Sequence, residues 1–247
     1  MSFTPLAFGL SAVLVVYLAV VSPLTGKHTY DRLGRTRDED PGVYRRMLTI
    51  WSAELWAVAA VALVIVAIEP NLDLADIGLV INRPPDTTLG MVVGAVFTMT
   101  VVSIARRWAA ARGVKTSKAA QAALQQKAVS HLLPRTRTER WYAAGLSVTA
   151  GITEEIVFRG LLIAVGTEAF GLSREVAAGL ALAVFVAGHL YQGWRGMVPV
   201  AVAGLSLTFL YFRTGDLLLP ILVHAMIDLF ALTFSRRQRT ELVREAA

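Results

Sequence analysis

The amino-acid sequence predicts an all-α membrane protein, a polytopic bundle of about seven transmembrane helices. Two observations support this prediction. Of the 247 residues, 55% are apolar and only 17% are charged, so the chain is more apolar than a typical soluble domain. The apolar residues also occur in long runs, and about 20 of them in helical form cross the roughly 30 Å hydrocarbon core of a bilayer.

Seven apolar runs are predicted to be spans. The first, residues 5–24, has no Lys or Arg before it and is longer than the apolar part of a signal peptide, about 7 to 15 residues, so we interpret it as a retained span. The others are residues 47–68, 89–105, 141–163, 174–192, 197–212 and 217–234. Since no repeat or linker divides the chain, we expect one integral-membrane domain over residues 1–247.

The basic residues predict the orientation of the bundle. With the amino terminus outside and the carboxyl terminus inside, 20 of the 24 Lys and Arg residues lie in inner segments, as the positive-inside rule requires. The net charge of +6 is therefore explained by topology and by contact with the lipid bilayer, and we expect no nucleic-acid partner. The absence of Cys excludes disulfides, thiolate catalysis and Cys-based zinc sites.

The fourth predicted span carries two adjacent carboxylates, Glu154 and Glu155, together with Arg159. Ionised carboxylates are costly in hydrocarbon, so each needs a partner or a task. Residues four apart share a helix face, and Glu155 and Arg159 are therefore expected to form an ion pair. Glu154 has Ala150 and Phe158 at the equivalent positions, which leaves it available for chemistry or for a partner on another helix.

Two further predicted spans carry candidate partners for Glu154. His189 lies in the fifth span, and His224 and Asp228 lie four residues apart in the seventh. Buried polar groups in a helical bundle normally converge, because hydrocarbon offers them no hydrogen bonds. Glu54, in the second span, lies near a basic connector, and we interpret it as a side chain that reaches toward the membrane interface.

These residues form three motifs in order, each in its own predicted span. The motifs are E-E-x-x-x-R at Glu154, Glu155 and Arg159, F-x-x-x-H at Phe185 and His189, and H-x-x-x-D at His224 and Asp228. Their order resembles that of the CAAX protease and bacteriocin-processing family of intramembrane endopeptidases. The resemblance covers about residues 132–232, which we expect to be the motif-bearing catalytic core.

The resemblance implies a catalytic role for each motif residue. Glu154 would be the general base that activates water, Glu155 and Arg159 a supporting pair, and His189 the residue that holds the water. His224 and Asp228 would face the oxyanion, although Asp228 stands where many relatives carry Asn. An ionised Asp cannot donate to an oxyanion, so Asp228 is protonated, orients His224 or serves a metal.

Zinc is a possible cofactor, although none is required if Glu154 acts as the base alone. One Glu and two His with an open water position form a recognised catalytic zinc set, here Glu154, His189 and His224. Phe158 and Phe185 each lie one turn from a proposed catalytic residue and are candidates for the wall of a substrate groove.

The sequence leaves the substrate and one alternative function class open. The expected partner is a membrane-associated peptide or protein, cut by a multi-pass protein of the cell membrane. The non-catalytic alternative is a proton-coupled transporter or a bacteriocin-immunity or scaffold protein, since Glu, His and Asp can also form a proton relay. For the candidate residues to meet, the fourth span must begin before residue 141, near Thr138, which would place the site in the cytoplasmic half of the bilayer.

Overall fold

A computed structural model describes residues 3–81 and 129–233, and every regular element in these two ranges is helical. The α-helices are α1 (Pro5–Val16), α2 (Ser22–Thr36), α3 (Val43–Ile68), α4 (Arg137–Glu154), α5 (Leu162–Glu168), α6 (Arg174–Gly188), α7 (Gly193–Thr214) and α8 (Leu218–Thr233). A π-helical turn, Tyr17–Val21, joins α1 to α2, and a second, Glu155–Leu161, joins α4 to α5. Short 3₁₀ turns lie at Ser130–Leu132 and Leu190–Gln192.

Three helical stretches of the described residues are long and apolar enough to cross a membrane. They are Pro5–Thr36, Val43–Ile68 and Leu190–Thr214, and Leu218–Leu232 is a shorter apolar helix. The prediction of an all-helical membrane protein is thus confirmed for the part of the chain that the structure describes. The number of seven spans and the orientation remain predictions, and the predicted span at 89–105 lies outside the described residues.

Several helix ends differ from the predicted span boundaries. The first helical stretch continues to Thr36 rather than ending at residue 24, because Tyr30 and Leu33 lie on one face of α2 and are buried against α3. Helix α6 ends at Gly188, so His189 lies just past its end and not inside a span. The interval between the predicted spans 174–192 and 197–212 is helical and forms the start of α7.

The helix that carries the two adjacent carboxylates lies at the centre of the bundle. It begins at Arg137, where Thr136 and Glu139 form a capping box, and with its π turn it continues to Glu168. The helix of the fourth predicted span therefore begins before residue 141, as expected. Helix α4 packs against α3 on one side and against α8 on the other.

The start of α4 is fixed by a buried cation. Arg37 donates to Glu139 at 2.8 Å and to the backbone oxygens of His131 and Leu133, and its guanidinium lies 4.2 Å from the ring centroid of Tyr44. Because both charges of this ion pair are buried, removing one partner would leave the other uncompensated. The pair thereby ties the segment before α4 to the end of α2 and the start of α3.

Gly151 sets the distance between α4 and α8. A Cβ atom at this position would lie 2.8 Å from the Cβ of Ala225 and 2.8 Å from its backbone nitrogen. We expect Gly151→Ala to force the two helices apart and to lower the free energy of unfolding by about 1 to 3 kcal/mol, the usual effect of overpacking. Thermal unfolding of the purified protein measures the change.

Gly145, on the same helix, provides the matched control, because a Cβ there meets no atom within 4 Å. Gly145→Ala is expected to leave the melting temperature unchanged or to raise it, since Ala is favoured over Gly in a helix by roughly 0.5 to 1 kcal/mol. Equal effects of the two substitutions would contradict the close approach of α4 and α8.

The segment after α3 closes one end of the bundle. Glu69 is 1% exposed and accepts hydrogen bonds from the backbone and hydroxyl of Thr4 and from the backbone and side chain of Asn71. Further along, Ile77 is buried, and its backbone oxygen lies 2.9 Å from where a Cβ at Gly160 would be. The segment therefore packs against the second π turn.

The hydrogen bonds to Glu69 predict a pH dependence of stability. Burial disfavours the charged form of Glu69, but the hydrogen bonds from Thr4 and Asn71 outweigh it and lower the pKa from its ordinary value of 4.5. A lowered carboxyl pKa stabilises the fold at pH values above the ordinary value, and this stabilisation is lost as the pH falls through the lowered pKa. We expect Glu69→Gln to have a lower melting temperature than wild type at pH 7. This difference in melting temperature should decrease as the pH falls below the ordinary pKa value.

The exposed Glu39 offers the control, since Glu39→Gln removes a carboxylate without these partners. Its melting curve should follow that of wild type at each pH. A gap between wild type and Glu69→Gln that stays constant from pH 7 to acid would contradict the account.

Candidate active site

The three motifs share one cavity of about 180 Å³. Glu154 lies on its wall at the end of α4, His189 just after α6, and His224 and Asp228 on α8. The structure thus brings together the polar side chains that the sequence placed on three different spans. Phe158 and Phe185, the predicted groove residues, also line this cavity.

Glu155 lies behind the cavity and contacts two of the other motif residues. It is fully buried, and its Oε1 accepts from Arg159 Nη1 at 2.8 Å and lies 2.7 Å from His224 Nδ1. The ion pair between Glu155 and Arg159, predicted from their spacing, is confirmed. Arg159 also donates to the backbone oxygen of Gly204 and stacks on Phe185, with 4.4 Å between its Cζ and the ring centroid.

His224 points its second nitrogen at two more carboxylates. Its Nε2 lies 3.7 Å from Glu154 Oε2 and 3.8 Å from Asp228 Oδ2. Because a carboxylate only accepts, the contact with Glu155 requires the proton on Nδ1, so Nε2 is the nitrogen that faces the cavity. Glu154 Oε2 is buried and has no hydrogen-bond partner among the described residues.

The carboxylate closest to His224 is that of Glu155. Orienting His224 was one of the three roles that the sequence left open for Asp228, four residues further along α8, but the carboxylate within hydrogen-bond distance of the ring is that of Glu155. The i,i+4 rule finds neighbours on one helix only, whereas Glu155 reaches His224 from another helix. Asp228 instead shares the Nε2 side with Glu154.

Glu154 and Glu155 are adjacent in sequence but approach the imidazole of His224 at different nitrogens. The second π turn begins at Glu155, and its backbone bonds join residues five apart, as from Leu162 to Val157. Adjacent helical residues are rotated by about 100°, so Glu154 faces the cavity while Glu155 faces the interior of the bundle. Single π turns in helices are frequent at functional sites.

His189 is held by the last turn of α6, which ends just before it. Its Nδ1 lies 2.8 Å from the backbone oxygen of Phe185, and its ring stacks on that of Phe185 with 4.7 Å between centroids. Because a carbonyl oxygen only accepts, Nδ1 carries the proton, and the neutral ring then presents Nε2 as an acceptor. Such an acceptor can hold a water molecule by one of its hydrogens.

The comparisons with known proteins agree with this constellation. Residues 136–230 match the family model described as type II CAAX prenyl endopeptidase Rce1-like. The predicted family resemblance is confirmed over this segment. No curated protein and no solved structure matches the chain.

The family match extends from the cap of α4 to the end of the motif on α8 and includes all three motifs. The family that this segment resembles is described as one of endopeptidases, and the long apolar helices of the described residues agree with a membrane protein. Helices α1 to α3 lie outside the matched residues.

The three donors of the zinc set proposed from the sequence, Glu154, His189 and His224, line the same cavity. Among residues 3–81 and 129–233, no group of three or more His, Asp and Glu side chains is placed to hold a metal ion. His189 Nδ1 and His224 Nδ1 are engaged by a carbonyl and by Glu155 respectively, which leaves Nε2 of each ring free of these bonds, as in histidines that bind metals. The zinc set of Glu154, His189 and His224 therefore stays a prediction.

Glu54 is a cavity residue that the sequence interpretation missed. The sequence interpretation did not place it at the cavity, where its carboxylate accepts from Tyr17 Oη at 2.7 Å and from Ser22 Oγ at 3.1 Å. It lines the same cavity as Glu154. An acid inside an apolar span was itself the available signal, but the partners that turn Glu54 inward lie on a distant part of the chain.

Proposed function

We propose that this protein is an intramembrane endopeptidase of the cell membrane that hydrolyses a peptide bond of a membrane-associated protein or peptide. The observation that carries the proposal is the position of His224 in the family-matched segment. Its Nδ1 is held by Glu155, and its Nε2 faces Glu154 and Asp228 across a cavity. This arrangement supplies a base, an orienting carboxylate and an imidazole around one space.

In the first step, Glu154 Oε2 acts as the general base. It takes a proton from a water molecule while the water oxygen bonds to the peptide carbonyl carbon, and the C=O electron pair moves to the oxygen. His189 Nε2 accepts the other hydrogen of the water and thereby orients it for attack. The unpartnered Oε2 of Glu154 favours this role, since a base must be free to receive a proton.

The oxyanion formed in this step needs a hydrogen-bond donor. A protonated His224 has N–H groups on both nitrogens, and the one on Nδ1 is taken by Glu155, which leaves Nε2–H for the oxyanion. Asp228, on the same side, helps to position the water and the protonated ring.

In the second step, the tetrahedral intermediate collapses. The oxygen electron pair re-forms the C=O bond, the C–N bond breaks, and the leaving nitrogen takes the proton that Glu154 had received. The products are one new carboxyl terminus and one new amino terminus, and Glu154 is again a free base. Glu155 and Arg159 act through His224 and are positioning residues.

The substrate is proposed to enter along the aromatic wall of the cavity. Phe158 and Phe185 meet edge to face, with 5.3 Å between ring centroids, and both line the cavity. The family description names prenyl endopeptidases, and an apolar prenyl chain on a substrate would be accommodated by such a wall. An unmodified transmembrane segment offers the same apolar chemistry.

The proposed mechanism uses no cofactor, and this gives a testable prediction. We expect peptide cleavage by the purified protein to keep its rate after treatment with a zinc chelator such as 1,10-phenanthroline, because each step uses side chains alone. The non-chelating isomer 1,7-phenanthroline is the control for effects on the membrane. Loss of activity with the chelating isomer only, restored by added zinc, would contradict the mechanism.

The proposed function is tested in membranes of cells that express wild type or Glu154→Gln. Mass-spectrometric mapping of new peptide termini should reveal a set that appears with wild type only, and the cleaved sequences would identify the substrate class. If the termini match while both proteins are present and folded, the peptidase proposal falls. Transport or immunity would then be the function to test.

A further inference from the structure

The cavity has a second polar wall that the proposed mechanism does not use. It is built by the first π turn, α2 and α3, outside the residues that match the family model. On this wall, Leu18, Ser22, Trp51 and Glu54 face the space that Glu154, His189 and His224 face from the other side. A substrate bound in the cavity would therefore contact both walls.

The first π turn fixes the position of Glu54. In an α-helix, residues five apart are rotated by about 140° from each other, so Tyr17 and Ser22 would point in different directions. Here the backbone N–H of Ser22 bonds to the oxygen of Tyr17, a five-residue spacing that brings both onto one side. Their hydroxyls both donate to Oε1 of Glu54.

This arrangement leaves the second oxygen of Glu54 for a ligand. Both hydrogen bonds that the described residues make to the carboxylate go to Oε1, and Oε2 accepts none from them. Trp51, one turn earlier on α3, is held apart by its own bond to Thr29 at 3.1 Å. Glu54 is thus an oriented acceptor on the cavity wall.

The charges around the cavity indicate what Glu54 would accept. Three carboxylates, Glu54, Glu154 and Asp228, line it, and no Lys or Arg does so among the residues that the structure describes. Arg159, which lies behind the catalytic side of the cavity, is already paired with Glu155. A cationic group brought in by a substrate would complement this wall, whereas an acidic one would be repelled.

We propose that Glu54 is a specificity-determining residue that binds a Lys or Arg side chain of the substrate close to the scissile bond. The proposal rests on the proposed peptidase function and deepens it by naming a substrate class. Glu54 Oε2 would accept a charge-assisted hydrogen bond from the ammonium or guanidinium group, and Tyr17 and Ser22 would hold the carboxylate in place. Specificity would then come from the first π turn, α2 and α3, and catalysis from the family-matched segment.

The test compares the cleavage sites that wild type and Glu54→Gln produce in the same membranes. Wild-type sites, defined as termini absent with Glu154→Gln, are expected to be enriched in Lys or Arg within two residues of the cut. With Glu54→Gln this enrichment should disappear. On purified protein, kcat/KM for a Lys-containing site peptide should fall about 10- to 100-fold through KM, as expected for a lost hydrogen bond to a charge.

Two further variants separate specificity from folding. Tyr17→Phe keeps the charge of Glu54 but removes one of its two orienting donors, so it should give a smaller loss for the Lys peptide and none for the same peptide with Ala in place of Lys. Glu168→Gln removes an exposed carboxylate at the end of α5, away from the cavity, and should leave the cleavage sites unchanged.

The outcomes distinguish the two proposals. If wild type and Glu54→Gln cut at the same sites, or wild-type sites show no basic enrichment, the role of Glu54 is overturned and the peptidase function stands. If no new peptide terminus depends on Glu154, both the peptidase function and the proposed role of Glu54 are contradicted.

Discussion

Glu154→Gln is expected to lower kcat by about 10²- to 10⁴-fold, the usual contribution of a general base. Gln keeps the shape of the side chain but cannot take the proton of the attacking water. Since Glu154 Oε2 has no hydrogen-bond partner among the described residues, its replacement breaks no hydrogen bond on that oxygen. The melting temperature should therefore stay close to that of wild type while the rate falls.

The measurement is the rate of peptide cleavage by purified protein in lipid vesicles, with thermal unfolding of the same preparations. Glu168→Gln, the same substitution at an exposed site, is the control and should retain the wild-type rate. A Glu154→Gln protein that is folded and cleaves at the wild-type rate would exclude Glu154 as the base.

The second large effect is expected at Glu155. Its carboxylate contacts both Arg159 and His224 in the interior, so Glu155→Gln leaves a buried guanidinium without its counter-charge. Breaking a buried pair in this way destabilises proteins by about 3 to 5 kcal/mol. The same change removes the carboxylate that holds His224 Nδ1, and we expect both the melting temperature and the cleavage rate to fall.

A double variant separates these two effects. In Glu155→Gln combined with Arg159→Met, the buried guanidinium is absent. Most of the decrease in melting temperature caused by Glu155→Gln should therefore be reversed. The cleavage rate should stay below that of wild type, because His224 still lacks the carboxylate of Glu155. Recovery of both quantities together would mean that Glu155 acts through stability alone and does not position His224.

The sequence predicted the parts of the site that follow from simple periodicity. The pairing of Glu155 with Arg159 needed only the four-residue spacing on one helix. The meeting of Glu154 with His224 needed only the tendency of buried polar groups to converge in a bundle. Both are present in the structure.

Other parts depend on backbone irregularities that leave no clear trace in the sequence. Glu155 stands at the start of one π turn and contacts His224 on another helix, and the π turn at Tyr17 directs two hydroxyls to Glu54. A π turn depends on packing around the helix rather than on a local residue pattern. The contact between Glu155 and His224 and the inward position of Glu54 therefore could not be predicted from spacing.

The most direct test of the central claim, that Glu154 activates water to cut a peptide bond, is cleavage in ¹⁸O-labelled water. Wild type should place one ¹⁸O atom in the new carboxyl terminus of the product and none in the side chain of Glu154, and Glu154→Gln should form almost no product. Label in the Glu154 carboxylate would show that Glu154 attacks the substrate itself. Equal product from both proteins would contradict the claim altogether.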